Sequence, residues 1–170
     1  MEVSFPLRAP ALVQGLHSVR GMSSERRIPV AVDFSAGSDE ALTQAITLAK
    51  RIHAELELVY VLEAGVDVFL AGLTAFDSDP VDIHAGLARE LANRAARARE
   101  KGIACRTLVL EGNPSIEVTR RARDIEPELV VVGTHGRTGL SHVLLGSVAE
   151  KIVQRSICPV LTVPFSKKAA

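Results

Sequence analysis

Short apolar runs alternate with longer stretches whose apolar residues return every three to four positions. The first pattern marks strands and the second marks amphipathic helices. Ile28 to Val32 is a β-branched strand. Ser38 is placed to cap the helix that follows, with Asp39 and Glu40 in its first turn. Ala41, Leu42, Ala45, Ile46, Leu48, Ala49 and Ile52 make one apolar stripe. Leu56 to Leu62 is the second strand. Glu63 to Pro80 has no firm period and carries Gly65, Gly72, Asp77, Ser78, Asp79 and Pro80, so it reads as a loop. Asp82 is the expected cap of the next helix, whose Ile83, Leu87 and Leu91 recur every four residues until Lys101-Gly102 stops it.

Ile103 to Leu110 is the third strand. Asn113-Pro114 opens a helix, because Pro suits the first turn and Asn caps it. Ile116, Ala122 and Ile125 are its expected inner side. Leu129 to Val132 reads as a strand covered on both faces. Val148, Ile152 and Val153 are the expected inner positions of a helix after Gly146. Pro159 to Val163 is a last short strand, whose flanking prolines suit an edge or a strand end.

The sum is β-α-β-α-β-α-β-α-β. That alternation predicts an α/β fold: a single-domain, Rossmann-like open sandwich, with a five-stranded parallel sheet of order 3-2-1-4-5 and helices on both faces. In such a sheet the first and fourth strands meet at the switch point, and ligands sit beyond their carboxyl ends. The domain is expected over residues 26–165. Residues 1–25 mix Pro6, Pro10, Gly15 and Gly21 without a period and read as a flexible extension. Residues 166–170 read as a tail.

Composition narrows the function classes. Lys+Arg and Asp+Glu balance at 20 each, and aromatic residues are 4% with no Trp. A neutral total and few stacking rings argue against a nucleic-acid binder. No apolar run approaches the roughly 18 residues of a membrane span. Neither a signal-peptide core nor a disulfide or CxxC pattern is evident, so a cytoplasmic location is expected. Cys105 and Cys158 read as small core residues.

The chemistry concentrates where the fourth strand ends, at Gly133-Thr134-His135-Gly136 and, after nine further residues, Gly146-Ser147. A buried strand, a glycine-spaced loop and a new helix start form an anion cradle: glycines admit close backbone approach, and the helix start supplies N–H donors. A surface loop whose glycines only make turns is the competing reading. Ser147 can donate to phosphate or cap the helix. Asp33, at the end of the first strand, can accept from ribose hydroxyls or an exocyclic amine, or serve as a local acceptor for backbone N–H groups. His135 and His142 match no metal-ligand spacing, and no metal site is assigned. Arg89, Arg94, Arg97 and Arg99 read as the solvated face of the second helix. GxxxxGK[ST] is absent, and no GxGxxG follows the first strand. Asp33 stands without the acidic cluster of a receiver domain, and no catalytic triad can be assigned.

Arg27 to Val163 resembles the universal stress protein family in its nucleotide-binding branch. The resemblance rests on G-x-x-G-x9-G-[ST], matched by Gly133, Gly136, Gly146 and Ser147. It rests also on Val32-Asp33-Phe34-Ser35, on residues 133–139 and on Ser156-Ile157-Cys158-Pro159-Val160. It implies an adenine nucleotide alpha hydrolase-like fold and ATP binding, with Mg2+ carried through the phosphates where present. It further implies Asp33 on the ribose and adenine side, Val61 reading adenine through its backbone, and the glycines with Ser147 on the phosphates. It implies a homodimer through the last strand, Pro159 to Val163. No general base or arginine finger is evident, so hydrolysis is expected to be slow or absent. A slow Mg2+-dependent hydrolase or nucleotidyl-transfer enzyme, and a dimerisation module with a vestigial pocket, are the other readings.

Overall fold

The computed structural model describes residues 26–63, 80–134 and 145–165, with side chains omitted for 80–83. The expectations for residues 1–25 and 166–170, for most of the Glu63 to Pro80 loop, and for Gly136, His135 and His142 lie outside them. Among the described residues five strands, β1 (Arg27–Ala31), β2 (Glu55–Leu62), β3 (Cys105–Glu111), β4 (Val130–Gly133) and β5 (Val160–Val163), alternate with four helices. These are α1 (Ala36–Ile52), α2 (Pro80–Arg99), α3 (Pro114–Ile125) and α4 (Ser147–Arg155). The strands form one sheet in the order β3-β2-β1-β4-β5, and every pairing is parallel. This is the order predicted from the alternation.

Period-two alternation sorts the strand side chains into two cores. Ile28, Val30, Leu56, Leu58 and Tyr60 pack with Ala41, Leu42, Ala45 and Ala49 of α1 and Leu91 and Ala95 of α2. Val59, Val61, Val130 and Val132 pack on the other face with Val118 and Ala122 of α3 and Ala149 and Ile152 of α4. Small residues on α1 and α2 let those helices lie close to the sheet.

Several local expectations are corrected. Ser35, not Ser38, caps α1: its side chain accepts from Ser38 N at 3.2 Å, while Ser38 sits buried in the first turn and donates its hydroxyl to Ser35 O. The helix starts earlier because Asp33 and Ser35 form a tight turn directly off β1. Asp82 is no cap, since α2 already runs from Pro80. Ile103 precedes β3 because its N–H donates to Ala98 O at 3.0 Å, in the turn that closes α2. Asn113 caps α3 as expected, its Oδ1 accepting from Ser115 N and Ile116 N.

Two inner faces also differ. Ile116 is 50% exposed; Ala122 is inward as expected, joined by Ser115, Val118 and Thr119. In α4 the inward residues are Ala149 and Ile152, whereas Val148 and Val153 are 39% and 44% exposed. Both helices are short, and their apolar residues fall on two faces.

Candidate functional site

β1 and β4 are neighbours, with Val30 beside Val131, so their carboxyl ends open side by side. From β1 the chain passes through Val32 to Asp33, and Val32 N still donates to Val59 O at 2.9 Å. Asp33 is half-buried. Its Oδ1 accepts from Ser35 N at 3.0 Å and from Ser35 Oγ at 2.6 Å. The local-acceptor role is therefore real, and it fixes the carboxylate at the mouth of the sheet.

Val61 is buried in β2. β1 and β2 are in register through Ala31 and Val59, so two further residues bring Asp33 level with Val61. In a strand, residues two apart present their backbone N–H and C=O to the same side. Val59 faces β1, so Val61 faces the place where β1 leaves the sheet.

Gly133 ends β4, and its lack of a side chain has a reason inside the protein. A Cβ there would lie 2.9 Å from Gly37 O, in the first turn of α1. The backbone of α1 thus rests directly against the end of β4. Gly146 has a similar constraint: a Cβ would meet Thr134 O at 3.0 Å, and Gly146 N donates to that oxygen at 2.7 Å. This bond joins the two ends of the glycine-spaced loop.

Gly146 is also the N-cap of α4, with no side chain to satisfy the orphan N–H groups behind it. The N-termini of α1 and α3 do have side-chain caps, from Ser35 and Asn113. Ser147 is the exposed first residue of α4. The uncapped helix start carries donors and the positive end of the helix dipole. Of the sequence-derived site residues, Asp33, Val61, Gly133, Gly146 and Ser147 all occupy the carboxyl-end side of the sheet.

The sequence did not single out the aromatic anchor beside Asp33. Phe34 stacks on Tyr60 with ring centroids 4.6 Å apart, and Arg94 lies over the Phe34 ring at 4.6 Å. Arg94 also reaches Asp39 at 2.9 Å and Glu90 at 2.8 Å. Arg99 donates to Cys105 O at 2.7 Å. The reading of these arginines as a solvated face is corrected for Arg94, whose side chain is largely covered; Arg99 is exposed, as expected. An aromatic residue between two polar turn residues, Asp33 and Ser35, is the signal that could have found Phe34.

On the opposite face, Glu57 of β2 is 4% exposed and accepts two 2.7 Å bonds from Arg121 of α3. That bonding holds the Arg121 guanidinium above its ordinary pKa, against the opposing effect of burial. Burial pushes the Cys105 thiol up to about 11, with Arg99 acting in the other direction. Cys158 is only half-buried, contrary to its reading as core. Among the described residues no group of three or more His, Cys, Asp or Glu side chains could hold a metal ion. Nor is any described helix long and apolar enough to cross a membrane.

The sequence profile of the Universal stress protein family matches residues 25–164. The universal stress protein MJ0531 of Methanocaldococcus jannaschii is 36% identical over 153 residues, covering 87% of each chain. The universal stress protein YxiE of Bacillus subtilis is 37% identical over 142 residues, covering 79% of this chain and 95% of its own. Three solved structures share the fold. A universal stress protein in complex with cAMP has a TM-score of 0.65 at 23% identity, over 85% of this chain and all of its own. A universal stress protein from Archaeoglobus fulgidus in complex with dAMP has a TM-score of 0.63 at 19% identity, over 83% and 99%. A family protein from Arabidopsis thaliana with AMP bound has a TM-score of 0.60 at 18% identity, over 84% and 93%.

Proposed function

The chain belongs to the universal stress protein family, and from that premise we propose that it binds an adenine nucleotide, ATP in particular, as a regulatory protein. The observation that carries this reading is the start of α4, tied to Thr134 just past the end of β4, on the same carboxyl-end side of the sheet as the fixed carboxylate of Asp33 after β1. Solved relatives in complex with cAMP, dAMP and AMP support the adenine part of it.

In this reading Asp33 accepts from ribose hydroxyls, and the backbone of Val61 meets the adenine edge. The N–H groups behind Gly146, with the Ser147 hydroxyl, hold the phosphates. Gly136 joins that cradle, and Gly133 shapes it by letting α1 approach. Mg2+ would enter with the phosphates rather than through a ligand set of the protein's own. The 26–165 domain acts in the cytoplasm, as a homodimer through β5, with hydrolysis slow or absent.

Denaturing freshly purified protein and identifying the released small molecules is the direct test. An adenine nucleotide is expected in the supernatant. Its absence, together with no measurable affinity for ATP, ADP or AMP at millimolar concentration, would sink the reading.

A further inference from the structure

We propose that Phe34 is a positioning residue for the nucleotide site, setting the Asp33 carboxylate for the ribose through a ring clamped between β2 and α2. The inference rests on the proposed nucleotide function and deepens it. Phe34 has φ 65, in the left-handed region that non-glycine residues rarely occupy. Such a conformation persists only where its surroundings over-determine it, and these constraints gather at functional sites.

The surroundings of Phe34 are specific. Its ring lies 14° from parallel to that of Tyr60, which is buried in β2. The Arg94 guanidinium lies over the same ring. Arg94 is itself held by Asp39 of α1 and Glu90 of α2, and Arg97 adds a 3.3 Å contact to Asp39. Three elements therefore fix one side chain.

The left-handed turn at Phe34 is what brings Ser35 N and Oγ back onto Asp33 Oδ1. Those two bonds orient the carboxylate. The same Ser35 hydroxyl accepts from Ser38 N, so the turn also sets the start of α1. Without the ring clamp, the chain between Asp33 and α1 loses its reason to hold a left-handed residue. The carboxylate then samples several orientations.

The test compares AMP with its 2′-deoxy and 3′-deoxy counterparts by calorimetry, in wild type, Phe34→Ala and Phe34→Tyr. Wild type is expected to prefer AMP over at least one deoxy counterpart. Phe34→Ala is expected to bind AMP roughly tenfold more weakly and to lose that preference, as follows when a positioned acceptor is misaligned. Phe34→Tyr keeps the stack and is expected to stay within about twofold of wild type. A wild type indifferent to the ribose hydroxyls overturns the reading of Asp33, and this inference with it. A preference that survives intact in Phe34→Ala overturns this inference alone. Where Phe34→Ala fails to fold, Phe34→Leu replaces it, and wild-type preference in that variant is equally decisive.

Discussion

Glu57 and Arg121 form a charged pair beside the apolar cluster that Val59 shares with the inner side of α3. Removing one partner from such a pair leaves the other buried and uncompensated, which costs about 3 kcal/mol. Arg121→Met is therefore expected to lower the unfolding free energy by about that amount. Adding Glu57→Leu should restore more than half of it, because two apolar side chains can replace the pair. Urea denaturation of wild type and the two variants checks this, and a double variant no better than Arg121→Met contradicts it. Cys105 makes a pH-dependent case. Its thiol titrates near 9.0 in an unfolded chain and near 11 here, because burial disfavours the thiolate. A raised folded value means the stabilisation is complete below pH 9 and is lost as pH climbs through 11. Wild type should then lose stability more steeply across that window than Cys105→Ala, and parallel curves would refute it.

Elements meet most closely where α1 touches the end of β4. Gly133→Ala would drive a methyl group to 2.9 Å from Gly37 O, a backbone atom that cannot swing away. The expected cost is about 1–3 kcal/mol in unfolding free energy, typical of overpacking. A melting temperature equal to wild type would show that α1 can retreat freely. The consequence for ligand studies is that Gly133 variants disturb packing as well as any cradle. Gly133 stands out in the sequence as a candidate cradle glycine. Its packing role was not, because Gly37 is distant in the chain and only the sheet order brings it near. The strands and helices themselves were legible because alternation and helical spacing follow directly from which face is buried. The inner sides of α3 and α4 were misjudged at Ile116, Val148 and Val153, where apolar residues point outward. The Ser35 cap was missed for a related reason: Ser35 and Ser38 both suit a cap, and only the turn at Phe34 decides between them.

At the scale of the molecule, one sheet edge carries apolar side chains outward. β5 pairs with β4 on one side, and among the described residues no strand lies on its other side. Leu161 is 38% exposed at mid-strand, and Ile157 and Val153 are exposed nearby in sequence. An open edge of this kind invites a partner strand. Leu161→Lys should shift the proposed dimer to monomer in light scattering at micromolar concentration. An unchanged mass would place any dimer contact elsewhere.

The strand order also has a history written into it. β1 is made first yet lies in the centre, with β2 and β3 on one side and β4 and β5 on the other. The first side assembles from successive β-α-β units, so its pairings join strands that follow one another in sequence. The second side must return across the whole intervening chain to reach β1, and loop closure over that distance is the slower event. Folding is therefore expected to nucleate on β1, β2 and β3. Truncating Leu58 should slow folding, while truncating Val131 should mainly hasten unfolding; the reverse pattern would place the nucleus on the other side. The crevice between β1 and β4 would then be the last seam to close, so a nucleotide held there would act on a late step of folding as well as on the finished protein.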